Sequence, residues 1–264
     1  MIGLARSGVA ASKLLLQQGH RVYTSDAKRS PATEGAAAEL IALGCAVDVG
    51  RHDLERIARA QFVVASPGVP PEAAPLAAAR AAGTQVLSEV EIALRAMHST
   101  RFIAVTGTKG KSTTTSLIAR LLQALGRNAE AAGNIGTALS ILATREVTPE
   151  WVALEISSFQ LHDTPSIAPA VGVLTNLAPD HLDRYDGNVD AYYADKRLLF
   201  RNATAASHWV INADYPEARA LAAGHAGDVH TFSTERASAD AWYDRGAQSL
   251  MLLGDELLPR AELP

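Results

Sequence analysis

Between Thr106 and Thr113 the chain reads T-G-T-K-G-K-S-T, directly after the apolar run Phe102, Ile103, Ala104 and Val105 and shortly before Leu117, Ile118, Leu121, Leu122 and Leu125 at helical spacing. Strand, glycine-rich turn and helix in that order leave few folds open. Glycines at 107 and 110 let the backbone turn back and aim its N–H groups at an anion, and the helix that follows adds the positive end of its dipole. The pattern predicts a phosphate-binding loop over Gly107, Thr108, Lys109, Gly110, Lys111, Ser112 and Thr113, with Lys111 reaching the outer phosphates and Ser112 holding Mg²⁺. Val105 stands where the ordinary loop has its first glycine, so this is a variant form.

Around the loop the chain alternates short β-type runs with alanine-rich helical stretches. From Arg21 to Leu87 these are the strands 21–24, 61–65 and 84–87 and the helices 32–43 and 72–82, followed by a helix over 88–97. This is the βαβ rhythm of a parallel sheet covered by helices. The polar stretch His98 to Arg101 then places a domain boundary, giving 1–98 and 99–264. The second half continues with more strongly apolar strands over 151–156, 170–174 and 208–212, as suits strands buried on both faces. The fold class expected is α/β: a Rossmann-like parallel-sheet domain, then a phosphate-loop α/β domain incomplete at its C-terminal end.

Composition narrows the partners. A net charge of -4 without any dense Lys/Arg run gives no footprint for nucleic acid or an anionic membrane surface. One cysteine, Cys45, excludes a disulfide framework, no apolar stretch is long enough to span a bilayer, and Met1 to Gly8 does not read as a signal peptide. A cytoplasmic setting is expected.

The turn Gly3-Leu4-Ala5-Arg6-Ser7-Gly8 with Asp26 about twenty residues on is similar to a dinucleotide-binding turn, but Ala5 replaces the middle glycine and disfavours NAD. A diphosphate remains possible, with Arg6 and Ser7 as donors. Almost no strand precedes the turn, and Leu258 to Pro264 shows no closing helix or strand. Both ends are therefore expected to be cut.

Four further groups could carry chemistry. Glu155 ends an apolar run beside Ser157, Ser158 and Gln160, and is either a Mg²⁺ ligand or a strand-end carboxylate facing water. His181 lies in the polar loop N-L-A-P-D-H-L-D-R-Y, either a metal or anion site or a solvated loop. Lys196, flanked by Asp195 and Arg197, reads by itself as surface decoration. Asn134, in G-N-I-G, reads by itself as part of a turn.

Together T-G-T-K-G-K-S-T, G-N-I-G, L-E-I-S-S-F-Q-L, N-L-A-P-D-H-L-D-R-Y and Y-Y-A-D-K-R occur in the order found in the Mur ligase family of bacterial cell-wall synthesis, over Thr106 to Arg197, and the chain resembles that family over nearly its whole length. The opening G-L-A-R-S-G and the E-I-S-S-F-Q form are most similar to the branch that adds D-glutamate to UDP-N-acetylmuramoyl-L-alanine. The resemblance implies ATP on Gly107 to Thr113, one Mg²⁺ near Ser112 and Glu155, and a second near His181 and Lys196, the lysine carbamylated. It implies catalytic roles for Lys111, His181 and Lys196, and a nucleotide-sugar substrate across Arg6, Ser7, Asp26, Ser66, Asn134, Ser157, Gln160 and His181. It further implies glutamate as the second substrate, an acyl-phosphate intermediate, a monomer, and a third domain beyond Pro264. Two residues depart from the family pattern, Lys109 and Ala5. A folylpolyglutamate synthase-like ligase shares the variant loop but normally begins close to it, whereas a whole α/β region precedes Thr106 here. An L-glutamate-adding or other Mur-type ligase, an NAD-binding domain joined to an ATPase, and a truncated non-catalytic nucleotide-binding protein are the other readings.

Overall fold

The structure is a computed structural model that describes residues 1–180 and 182–262. Its first half runs α1 (Arg6–Gln17), β1 (Tyr23–Asp26), α2 (Pro31–Ala42), β2 (Ala46–Val49), α3 (Leu54–Ala58), β3 (Phe62–Ala65), α4 (Ala74–Ala81), β4 (Gln85–Ser88) and α5 (Glu89–Leu94). Strands pair in parallel as β1–β2 and β3–β4, and Ile2 forms a bridge to Ser25 on one side and to Ala65 on the other. Local chemistry sets the helix starts. Ser30 and Thr33 cap α2 reciprocally with Pro31 in its first turn, Asp53 caps α3, and Ser88 closes β4 while its hydroxyl accepts from the Glu91 N–H.

The second half runs β5 (Arg101–Thr106), α6 (Lys111–Ala124), β6 (Ala129–Gly133), α7 (Leu139–Ala143), β7 (Trp151–Glu155), α8 (Ser158–His162), β8 (Val171–Leu174), α9 (Val189–Arg197), β9 (His208–Asn212), α10 (Pro216–Ala222), β10 (Asp228–Ser233), β11 (Ala241–Asp244), β12 (Ser249–Leu252) and β13 (Asp255–Pro259). These strands form one sheet in the order β13-β12-β11-β10-β9-β8-β5-β7-β6, parallel from β6 to β11 and antiparallel from β11 to β13. The α/β class is as expected. Ala104, Val105, Val152, Ala153 and Leu154 are fully buried, which is what their uninterrupted apolar runs require of central strands.

Three details differ from the sequence reading. The C-terminal end does close with strand: β13 pairs with β12, and a 3₁₀ turn over Arg260–Glu262 follows. Alternation there is weak because β13 is largely exposed, so no buried face marks it. The edge strand β6 has no sequence signal, because A-E-A-A-G lacks β-branched residues. On α6 the expected apolar face is not the core face: Thr115 and Ala119 are buried, whereas Leu117, Leu121 and Leu125 are 54%, 55% and 77% exposed.

Helix α5 fastens the two sheets together. The carboxylate of Glu89 accepts from the Ser140 N–H at 2.6 Å, at the uncapped start of α7, and burial pushes its pKa up. Glu91 accepts from the Ser166 N–H (2.9 Å), the Ser166 hydroxyl (2.6 Å) and Arg95 Nε (2.6 Å). Buried carboxylates persist only when hydrogen-bonded in this way.

Candidate functional site

The chain leaves β5 through α6 toward β6 on one side and leaves β7 through α8 toward β8 on the other. The strand order reverses at β5 and β8, and open α/β sheets bind ligands above the carboxyl ends of strands at such a point. The glycine-rich loop lies there. Gly107 has φ +142° and a Cβ on it would fall 2.0 Å from Thr175 Oγ1, so only glycine fits; Gly110 has φ +78° and caps α6. The loop after β8 grips it: Asn176 Oδ1 accepts from the Lys109 N–H (2.8 Å), while Asn176 Nδ2 and Thr175 Oγ1 donate to the Lys109 carbonyl (2.9 and 2.8 Å). The Lys109 backbone is thereby fixed while the residue itself stays exposed. Ser112 and Thr113 open α6 and are exposed.

Two lysines converge on one carbonyl. Lys111 Nζ donates to the Gly107 and Thr108 oxygens at 3.1 and 2.8 Å, and Lys196 Nζ donates to the Gly107 oxygen at 2.9 Å. Lys196 is 2% exposed, and burial, with the nearby Lys111 charge second, lowers its pKa to about 7. Its ammonium also sits 4.6 Å from the ring centre of Tyr192, whose hydroxyl lies 3.2 Å from Thr108 Oγ1. The surface reading of Lys196 is therefore wrong. Its neighbours on α9 point elsewhere: Asp195 accepts from Tyr185 (2.9 Å) and pairs with His162 (2.8 Å), and Arg197 contacts His225 (3.3 Å).

Glu155 is buried rather than solvent-facing. Its Oε1 accepts from Asn134 Nδ2 at 3.1 Å, and its Oε2 is buried with no hydrogen-bond partner. An orphaned buried carboxylate oxygen beside a phosphate loop suits a hard cation. Among the described residues no three His, Cys, Asp or Glu gather into a metal cluster. His181 lies outside the described residues.

The remaining candidates divide. A cavity of about 190 Å³ is lined by Lys111, Asn134, Ser157, Tyr192 and Lys196. A second, of about 240 Å³, runs between the sheets past Ser66 and Gln160. Pro67, Phe159 and Arg184 line both. Arg184 stacks over Phe159 at 4.7 Å from the ring centre, placing a cation at the junction. Gln160 also has a structural role, since its Oε1 accepts from the Ser157 N–H in the capping box of α8. Arg6, Ser7 and Asp26 line neither cavity. Ser7 is hydrogen-bonded to Ser66 (2.7 Å), and Asp26 accepts from the Leu4 and Lys28 N–H groups (both 2.8 Å), so this carboxylate shapes the first turn. Arg184 belongs to the polar loop whose crowded histidine, aspartate and arginine suggest an anion or metal site, whereas Tyr192 is not among the residues the sequence marks. Tyr192 had a signal, standing four residues before Lys196 on one helix face.

Comparison with known proteins matches residues 105–251 to the Mur ligase middle domain and residues 1–88 to the Mur ligase MurD-like N-terminal domain. The UDP-N-acetylmuramoylalanine--D-glutamate ligase of Geobacter metallireducens is 39% identical over 245 residues, 93% of this chain and 54% of that protein. That of Frankia casuarinae is 44% identical over 201 residues, 76% of this chain and 42% of that protein. The chain thus spans about half the length of the curated relatives it matches. Among solved structures, UDP-N-acetylmuramate:L-alanyl-gamma-D-glutamyl-meso-diaminopimelate ligase from Neisseria meningitides shares the fold at TM-score 0.61 and 20% identity, covering 97% of this chain and 84% of that one. The UDP-N-acetylmuramate-alanine ligase from Thermotoga maritima does so at TM-score 0.58 and 21% identity, covering 97% of this chain and 58% of that one.

Proposed function

Because this chain belongs to the Mur ligase family, we propose that it supplies the nucleotide-sugar and ATP sites of a ligase that adds D-glutamate to UDP-N-acetylmuramoyl-L-alanine. The observation that carries the reading is the meeting of Lys111, Lys196 and the orphaned Glu155 oxygen around one glycine-rich loop.

In the proposed reaction the substrate carboxylate attacks the γ-phosphorus of ATP. An acyl phosphate forms as ADP leaves, and the amine of glutamate then displaces phosphate. Two anions must approach in the first step, so positive charge at the loop is the main requirement. Lys111 now donates to its own loop and would swing onto the γ-phosphate, exchanging two carbonyl partners for charged oxygens. Mg²⁺ would neutralise the phosphates, held by Ser112 and the Glu155 oxygen, with a second ion assigned to His181 and Lys196. The depressed pKa of Lys196 leaves much of the amine unprotonated near neutrality, free to add to CO₂ and lose a proton. The resulting carbamate is an anionic oxygen ligand where an ammonium would repel the cation. Asn134, Ser157, Gln160, Ser66 and the first turn, with Arg6, Ser7 and Asp26, form the proposed track for the nucleotide sugar.

The same reading assigns 1–98 to the precursor-binding domain and 99–264 to the ATP-binding domain, in a monomeric cytoplasmic protein without nucleic-acid or membrane partners. Among the described residues no helix is long and apolar enough to cross a membrane. The test is calorimetric titration of the folded chain with UDP-N-acetylmuramoyl-L-alanine, with NAD as control. Saturable binding of the precursor alone is expected. A folded chain that binds NAD and ignores the precursor overturns the reading.

A further inference from the structure

Arg184 brings to the site a positive charge that no described carboxylate neutralises. Its guanidinium lies over the face of Phe159, 4.7 Å from the ring centre, and is half-buried. The carboxylates that line the adjoining cavity are already matched: Asp163 pairs with Arg80 (3.4 Å), and Asp195 with His162 (2.8 Å) and the Tyr185 hydroxyl (2.9 Å). The two lysines nearby are turned to the glycine-rich loop, where Lys111 donates to the Gly107 and Thr108 carbonyls and Lys196 to that of Gly107. A guanidinium with one face on an aromatic ring and its N–H edges unpaired is suited to a planar oxyanion, which it can grip through two parallel hydrogen bonds.

The backbone that carries Arg184 is held in place. Tyr185, the next residue, stacks with Phe159 at 5.2 Å between ring centres, meets Tyr192 edge-on at 5.4 Å and donates to Asp195. The 3₁₀ turn Leu182–Tyr185 is thereby tied to both α8 and α9. From this mount Arg184 lines the cavity of about 190 Å³ that holds Lys111 and Lys196, and also the cavity of about 240 Å³ that runs past Ser66 and Gln160. A ligand threaded from the second cavity into the first passes the guanidinium, and an anionic end that stops in the first meets it beside the two lysines.

We propose that Arg184 binds the terminal carboxylate of the nucleotide-sugar precursor and orients it toward the phosphate loop. The assignment rests on the ligase reading and adds to it the residue that selects an anionic acyl donor. The precursor has two anionic groups, and its diphosphate is placed at the first turn, where Arg6 and Ser7 line neither cavity. The carboxylate is the group that must reach the cavity shared by Arg184 and Lys111. Each of its oxygens keeps a lone pair beyond the one that accepts from the guanidinium, so pairing lessens the repulsion between the two reacting anions and leaves an oxygen able to attack. A precursor with a neutral terminus leaves the guanidinium unpaired.

The test is calorimetric titration of the folded chain and of its Arg184→Gln and Arg184→Lys variants with three ligands: UDP-N-acetylmuramoyl-L-alanine, the same molecule with its terminal carboxylate converted to a primary amide, and UDP. Arg184→Gln is expected to weaken binding of the carboxylate ligand at least about tenfold while binding of the amide and of UDP changes by less than about twofold. Arg184→Lys is expected to recover part of the loss, since it keeps the charge and gives up the paired geometry. Unchanged affinity for the amide and UDP also shows that the variant is folded. A loss shared equally by the carboxylate and amide ligands, or one that appears with UDP, overturns the assignment, because the guanidinium then serves the sugar or the diphosphate. Unchanged binding of the carboxylate ligand overturns it as well. A wild-type chain that binds none of the three refutes the precursor reading itself, a result distinct from a variant that binds them without discriminating carboxylate from amide.

Discussion

Replacing Lys196 by methionine tests the electrostatics of the proposed site without needing turnover. The amine is 2% exposed and its pKa is lowered from 10.5 to about 7, first by burial and second by Lys111. Between those two values the unfolded chain holds a proton that the folded chain has released, so stability rises with pH across that window and changes little below about pH 6. The full gap corresponds to at most about 5 kcal/mol, and the portion between pH 7 and 8 to about 1 kcal/mol. Lys196→Met keeps the length and apolar stem but removes the titration, so the wild type should gain about 1 kcal/mol relative to the variant over that one pH unit. Urea unfolding in CO₂-free buffer at pH 6, 7 and 8 measures this, with the variant subtracting every other titrating group. The variant should also be the more stable protein at pH 6, where the wild type buries a full charge. Parallel pH dependence in the two proteins would refute the argument, because the lysine would then be as well solvated folded as unfolded.

Other substitutions test neighbouring steps. In the ligase proposed above, Lys111→Ala should lower ATP turnover by about a hundredfold or more with an unchanged circular dichroism spectrum; retained turnover would remove it from the proposed phosphate site. Glu155→Gln should weaken the Mg²⁺ dependence of nucleotide binding about tenfold, read by titrating nucleotide with and without the metal. Gly133→Ala would place a Cβ 2.1 Å from the Glu155 carbonyl at φ +98°, and should cost about 2 kcal/mol or more in urea unfolding. Glu89→Ala should cost about 2–3 kcal/mol by stranding the Ser140 N–H, with Glu89→Gln recovering part of the loss because its amide oxygen can still accept.

What the sequence shows of this protein tracks how local each interaction is. Gly107 and Gly110 are legible because the turn and the helix start lie within eight residues, and Lys111 opens that helix. The burial of Glu155 is half legible: the apolar run before it implies a central strand, but Asn134, its hydrogen-bond partner, lies one strand away in the sheet. Lys196 is the instructive failure. Its charged neighbours in sequence suggest a solvated face, yet on a helix successive residues point about 100° apart. Asp195 therefore turns to His162 and Tyr185, Arg197 turns to His225, and the lysine between them points inward at Gly107. The residue that did share its face was Tyr192, one turn earlier, whose ring lies against the ammonium and whose hydroxyl meets Thr108 of the loop. Reading α9 by its i and i+4 neighbours rather than by adjacent letters would have placed the lysine against an aromatic, buried face. For Lys196 burial outweighs the pull of Asp180 and Asp195 and lowers the pKa, and that shift, rather than any pattern of charges along the chain, is what makes it a candidate for chemistry.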